Sequence, residues 1–292
     1  MTFDRIAHEQ DYLFDLRGYL ILDQALFADE LAAINGWIDA QPPATVGSWL
    51  GDVEVHTYTG AEGVNYQNII EAGPIFEHLI DHPSWLPLVR RWMVNEYNAV
   101  SLNEAFVNVR TSGGFIGLHA GGHVSAPITT FRNPYTAAWN VGQINVLMAL
   151  TDIGPGDGCT VLVPGSHKSG VLHPDLVDSP DKNTTYRSDR HAGDALGAIE
   201  VHLRAGQAAL FTDAISHGST ARINPGERRV AIYRYSPHAI TTRYQYQPSP
   251  ELLARLTPQR RGIVQPVPPR VAPHRRLMAG TTASPGSPAK PL

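Results

Sequence analysis

The sequence predicts a mainly β fold with flanking α-helices, a sandwich or barrel rather than alternating βαβ units. Three observations predict it. Beyond residue 100 the apolar runs are short and separated by glycine-containing turns. Residues 144–151 alternate with period two: Ile144, Val146, Met148 and Leu150 share one face, while Asn145 and Thr151 lie on the other. The helix-period patterns fall in the first hundred residues.

In chain order, residues 18–22 (Gly-Tyr-Leu-Ile-Leu) form a short apolar, strand-like run. Residues 29–40 put Leu31, Ile34 and Ile38 on one helix face beside Trp37, with Asp29 placed to accept backbone N–H bonds at the start. A second helix is predicted over residues 84–94, with Leu86, Val89, Trp92 and Met93 as apolar members and Pro83 before it. Strands follow at residues 105–109, 143–151, 159–163, 208–212 and 229–235. From residue 265 onward, seven of the 23 prolines fall within 28 residues beside Gly, Ser and Ala, the composition of a disordered tail. The expected organisation is one catalytic domain over residues 1–264 and a Pro-rich tail over 265–292. Within that domain, about the first hundred residues are expected to be helical and residues 101–240 to form the β core.

Composition narrows the function. A net charge of -4 argues against a nucleic-acid-polymer binder, which needs clustered excess Lys and Arg. The single cysteine, Cys159, allows no intrachain disulfide and no Cys-rich metal site, and reads as a small buried hydrophobe. The first twelve residues carry charges instead of the apolar run of a signal peptide, and no window reaches the roughly 18 apolar residues of a membrane span. A cytoplasmic protein acting on a small molecule is the expectation.

Three separated segments carry the chemistry. They are Leu118-His119-Ala120-Gly121-Gly122-His123, then Gly156-Asp157-Gly158-Cys159-Thr160 running into Pro164-Gly165-Ser166-His167-Lys168, and His217-Gly218-Ser219 with Arg228 eleven residues after His217. Their order and spacing resemble the phytanoyl-CoA dioxygenase family, over roughly residues 15–235. The resemblance implies a double-stranded β-helix, a jelly-roll or cupin-like barrel, and an Fe(II)- and 2-oxoglutarate-dependent enzyme that uses O2. It implies that His119 and His217 ligate iron, that Arg228 clamps the distal carboxylate of 2-oxoglutarate, and that Ser219 adds a hydrogen bond to it. Asn108 and Asn145 are cosubstrate candidates from their inward strand positions. His123, Arg132 and Lys168 are candidates for substrate contact, and His167 reads as a turn residue holding its loop.

At one position the chain departs from the family pattern. Most members have H-x-D; here the triplet is His119-Ala120-Gly121, and glycine offers no side chain to a metal. In this the sequence is similar to the H-x-G and H-x-A iron halogenases, in which chloride takes the place of the carboxylate. The resemblance therefore implies chlorination of an unactivated C–H bond in a free small molecule, possible substrates including a nucleotide such as deoxyadenosine monophosphate. Two other readings stay open: a hydroxylase of the same fold, its site completed by Asp157 or water, and a non-catalytic jelly-roll binding protein.

Overall fold

The computed structural model describes residues 4–94, 99–120, 130–132, 139–177, 188–238, 240 and 247–265. The tail from residue 266 lies outside them.

Alternation of apolar and polar side chains builds two antiparallel sheets. The larger has eight strands in the order Tyr19–Leu22, Ala208–Thr212, Ile144–Ala149, Arg228–Pro237, Val100–Arg110, Val64–Gln67, Val53–His56, Trp49–Leu50. The smaller runs Ile199–Val201, Thr160–Leu162, His217–Ser219, Ile116–His119. A separate two-stranded ribbon pairs Thr130–Arg132 with Trp139–Val141. The sheets face one another as the double-stranded β-helix of the expected class.

Parity decides which side chains see the barrel. On the central strand Arg228–Pro237, Ala231, Tyr233 and Tyr235 pack outward against the helices. Val230 faces inward with Leu147, Ala149, Ala209, Phe211, Cys159 and Leu162. The same split holds on Ile144–Ala149: Ile144, Val146 and Met148 belong to the outer core, with Leu150 just beyond the strand, and Asn145 lines the interior, as the alternation predicts. Cys159 is fully buried in the inner cluster, donates to Gly154 O at 2.9 Å, and has its thiol pushed up to about 12 by burial, so it stays neutral.

The outer layer is helical. Ala28–Asp39 buries Ile34 and Ile38, and Leu86–Met93 buries Leu86, Val89 and Met93. Buried hydroxyls anchor this layer: Tyr235 donates to Ile80 O at 2.9 Å and accepts from Trp85 Nε1 at 3.1 Å, and Tyr233 donates to Phe76 O at 2.8 Å. Such satisfied donors fix how the helices seat on the sheet. Among the described residues, no helix is long and apolar enough to cross a membrane.

Several elements differ from expectation. Glu30, not Asp29, satisfies the helix start, its Oε2 accepting from Phe27 N at 2.8 Å. The first hundred residues are not simply helical: they supply four strands to the larger sheet. Val53-Glu54-Val55-His56 alternates cleanly, and Leu50-Gly51-Asp52-Val53 is a hairpin signal, with Gly51 at φ +64°. A first helix, Arg5–Arg17, has charged residues spread around it and shows little apolar periodicity; Phe14, its one buried residue, stacks on Trp92 at 3.8 Å. Two short helices, Pro250–Arg255 and Pro258–Val264, each begin with proline after a capping Ser249 or Thr257.

Candidate active site

His119 ends the strand Ile116–His119 and is the direct cross-strand partner of His217. Their ring centroids lie 4.1 Å apart at 52°. Each Nδ1 donates to a backbone carbonyl two residues earlier, His119 to Gly117 O at 3.0 Å and His217 to Ile215 O at 2.7 Å. That assigns the proton to Nδ1 and the lone pair to Nε2 of both rings. Gly218 allows this pairing: a Cβ there would lie 2.5 Å from Ile116 O and 2.8 Å from Ala192 Cβ. Immediately after His119, Ala120 takes a left-handed φ of +63°, its carbonyl accepting from Ser216 Oγ at 3.1 Å. A non-glycine residue held in this region stores local strain where the chain leaves the histidine.

Both histidines line a cavity of about 430 Å³ between the sheets. At its cationic end, Arg228 is 5% exposed, with Nη1 donating to Asn108 Oδ1 at 3.2 Å and Nη2 to Thr160 Oγ1 at 3.4 Å. Burial lowers its affinity for the proton to about 10, with nearby Arg110 acting in the same direction. Ser219 accepts from Arg110 Nη1 at 3.2 Å and from Ile116 N at 3.3 Å, which keeps its own hydroxyl hydrogen as a donor. Farther along the same inward face, Arg234 pairs with buried Glu104, which also takes bonds from Tyr58 and Gln67.

The fold thus brings His119, His217 and Ser219 from the smaller sheet and Asn108, Asn145 and Arg228 from the larger one to the lining of one cavity. Asn108 faces Arg228 through its carbonyl and gives its amide to Asn65 Oδ1 at 2.9 Å, so it orients the guanidinium. Asn145 donates to Asp213 Oδ1 at 3.2 Å. Lys168 is elsewhere: its Nζ donates to Asp15 O at 2.7 Å, tying the Pro164–Lys168 turn to the first helix, and it does not line this cavity. His167 serves the same junction through Asp15 O at 3.0 Å. Asp157 is also engaged outside the cavity, accepting from Arg222 Nη1 at 2.9 Å and Gly154 N at 2.8 Å. Burial raises its proton affinity, but these bonds, with Asn224, outweigh that and hold the carboxyl below the ordinary range. Gly121 and His123 lie outside the described residues, and Arg132 is described only as the end of a ribbon strand.

Sequence reasoning passed over Arg110, Thr160 and Arg234. The signal for two of them was parity, since Arg110 shares a strand face with Asn108 and Arg234 shares one with Arg228.

The residues present fit iron and 2-oxoglutarate. The histidines offer two fixed imidazoles, and Nε of Arg228 with Nε and Nη2 of Arg110 are buried donors that have no acceptor among the described residues. No curated protein sequence matches significantly. Among solved structures, HygX from Streptomyces hygroscopicus, with nickel and 2-oxoglutarate bound, superposes with a TM-score of 0.61 at 21% identity, covering 81% of this chain and 88% of HygX. EctD from S. alaskensis gives a TM-score of 0.56 at 19% identity over 79% of this chain and 77% of its own. SnoN, the non-heme α-ketoglutarate-dependent epimerase from nogalamycin biosynthesis, gives 0.53 at 17% over 80% and 83%. At these identities the likeness establishes the fold. The family profile of phytanoyl-CoA dioxygenase (PhyH) matches residues 14–230, and the chain belongs to that family.

Proposed function

We propose that the chain is an Fe(II)- and 2-oxoglutarate-dependent halogenase that chlorinates an unactivated C–H bond of a free small molecule. The observation that carries the iron and cosubstrate assignment is the His119–His217 pair in one cavity with buried Arg228, which has no ion pair among the described residues. Gly121 carries the halogenase assignment, since it supplies no carboxylate where the family pattern has one.

When bound, iron and 2-oxoglutarate supply the oxidising power, consuming O2 and releasing succinate and CO2. The chain's own residues do the positioning. His119 and His217 present Nε2, each ring locked by its Nδ1–carbonyl bond. Arg228, steadied by Asn108 and Thr160, clamps the far carboxylate of the cosubstrate, and Ser219 donates to the same group. Chloride, carrying one negative charge like the missing carboxylate, preserves the charge of the site.

For the substrate we propose a polar small molecule, with a nucleotide such as deoxyadenosine monophosphate as the first to try on the strength of the halogenase resemblance. Lys168 is occupied with Asp15 away from the cavity and does not reach the substrate. Arg234, Tyr58 and Asn145, which line the cavity, take its place.

The test is an anaerobic titration with Fe(II) and 2-oxoglutarate, with and without chloride, followed by visible absorption. A metal-to-ligand charge-transfer band that shifts with chloride supports halide at the iron. A band indifferent to chloride favours the hydroxylase, and no band at all removes the iron–cosubstrate reading.

A further inference from the structure

Arg110 and Arg228 are direct cross-strand partners on the antiparallel strands Val100–Arg110 and Arg228–Pro237. Both line the same cavity, and they are 1% and 5% exposed. Opposed residues of an antiparallel pair hold their Cβ atoms about 5 Å apart, and like charges so placed destabilise the sheet. Removing both from water without a counter-charge adds to that penalty.

The surrounding arginines are treated differently. Arg222 has Asp157 at 2.9 Å, Arg229 has Asp39 at 2.7 Å, and Arg234 has Glu104. Among the described residues, neither Arg110 nor Arg228 has an ion pair. Glu62 favours the charged form of Arg110 through space, yet its oxygens are held by Thr57, Tyr58 N and Thr59.

The unmet donors have a shape. Arg110 spends Nη1 on Ser219 Oγ at 3.2 Å, while Nε and Nη2 are buried without an acceptor. Those two nitrogens form one edge of the planar guanidinium, the pair that meets both oxygens of a carboxylate. Gly158, at φ +77°, closes over the other side: a Cβ there would sit 3.0 Å from Arg110 Nη1. The guanidinium is therefore wedged in one orientation, with that edge unused.

We propose that Arg110 is a second carboxylate receptor beside Arg228, and that the two together take up the dicarboxylate cosubstrate before any metal is bound. This rests on the reading that the chain uses 2-oxoglutarate. The anion then supplies the counter-charge that the arginine pair lacks, and its affinity does not depend on chelation to iron.

The experiment is calorimetric titration of EDTA-treated protein with 2-oxoglutarate and with glutarate, which lacks the keto oxygen that would chelate a metal. Wild type is expected to bind both with similar affinity. Arg110→Met, close in length and uncharged, should weaken glutarate binding about 10- to 100-fold, the scale of one or two charged hydrogen bonds. The same variant should melt higher without ligand, because the like-charge repulsion is gone. A merely structural Arg110 predicts the reverse, a lower melting temperature with affinity unchanged. Arg110→Lys, which keeps the charge but loses the fork, should fall between the two and serves if the methionine variant does not fold. Glutarate binding equal to wild type in these variants overturns the role of Arg110, as does wild-type binding that appears only with metal. If wild type fails to bind 2-oxoglutarate even with Fe(II), the parent reading itself is lost.

Discussion

The Asn108 carboxamide holds Arg228 from behind: Oδ1 accepts from Arg228 Nη1 at 3.2 Å, while Nδ2 donates to Asn65 Oδ1 and Glu62 O, both at 2.9 Å. The amide is fixed on both sides, so it fixes the guanidinium in turn. Asn108→Leu should leave the fold intact and weaken 2-oxoglutarate binding roughly 10-fold, the scale of one charged hydrogen bond. Asn108→Asp should lower the melting temperature, because the carboxylate oxygen that replaces Nδ2 faces the acceptors Asn65 Oδ1 and Glu62 O, and it should weaken the cosubstrate further through competition for Arg228. Titration calorimetry and a thermal melt on the same samples read both effects.

His119→Ala and His217→Ala are each expected to lose Fe(II) binding while keeping the far-ultraviolet circular dichroism of the parent. Retention of stoichiometric iron by either variant, measured by metal analysis after gel filtration, would remove that histidine from the ligand set.

Gly121→Asp places a carboxylate two residues after His119, at the position the family pattern gives it. Chlorinated product should disappear and hydroxylated product should become detectable by mass spectrometry. Chlorination continuing at the parent rate sinks the argument from the missing carboxylate.

Gly218 lies on the strand His217–Ser219, at the register shift in its pairing with Ile116–His119. Because a Cβ would meet Ile116 O at 2.5 Å, Gly218→Ala must push the strands apart. The expected cost is about 1–3 kcal/mol, read as a lower melting temperature. Separation of the strands should also spread His119 from His217 and weaken metal binding, a loss separable from stability by assaying iron well below the melting temperature.

His82 is fully buried, stacks on Trp85 at 4.3 Å, and donates to Glu30 Oε1 at 3.0 Å. Burial is the largest influence and lowers its proton affinity below the ordinary 6.5, although Glu30 pulls the other way. A group that resists protonation when folded binds more protons when unfolded, so its contribution to stability rises with pH and is lost below about 6.5. The melting temperature should therefore fall as pH drops from 7 toward 5, and His82→Gln should flatten that part of the profile. An unchanged slope in the variant would assign the acid sensitivity to other groups.

The residues themselves disclosed a good part of this protein. The parity of residues 144–151 set which side chains face the helices and which face the cavity, because side-chain direction in a strand follows from the backbone alone. The spacing of His119, His217, Ser219 and Arg228 carried the family resemblance before any coordinates. The departure at Gly121 is likewise a fact of sequence.

Tertiary structure decided the rest, for one physical reason: alternation tells a strand which face is polar, but not which strand will lie opposite. Val53–His56 and Val64–Gln67 fall in a stretch expected to be helical, and only pairing made them strands and placed Asn65 beside Asn108. Lys168, a candidate substrate contact by its positive charge, is claimed by Asp15 from a helix some 150 residues earlier in the chain. Arg110 and Arg228 lie 118 positions apart in sequence, and only the register of two strands sets one charge directly against the other.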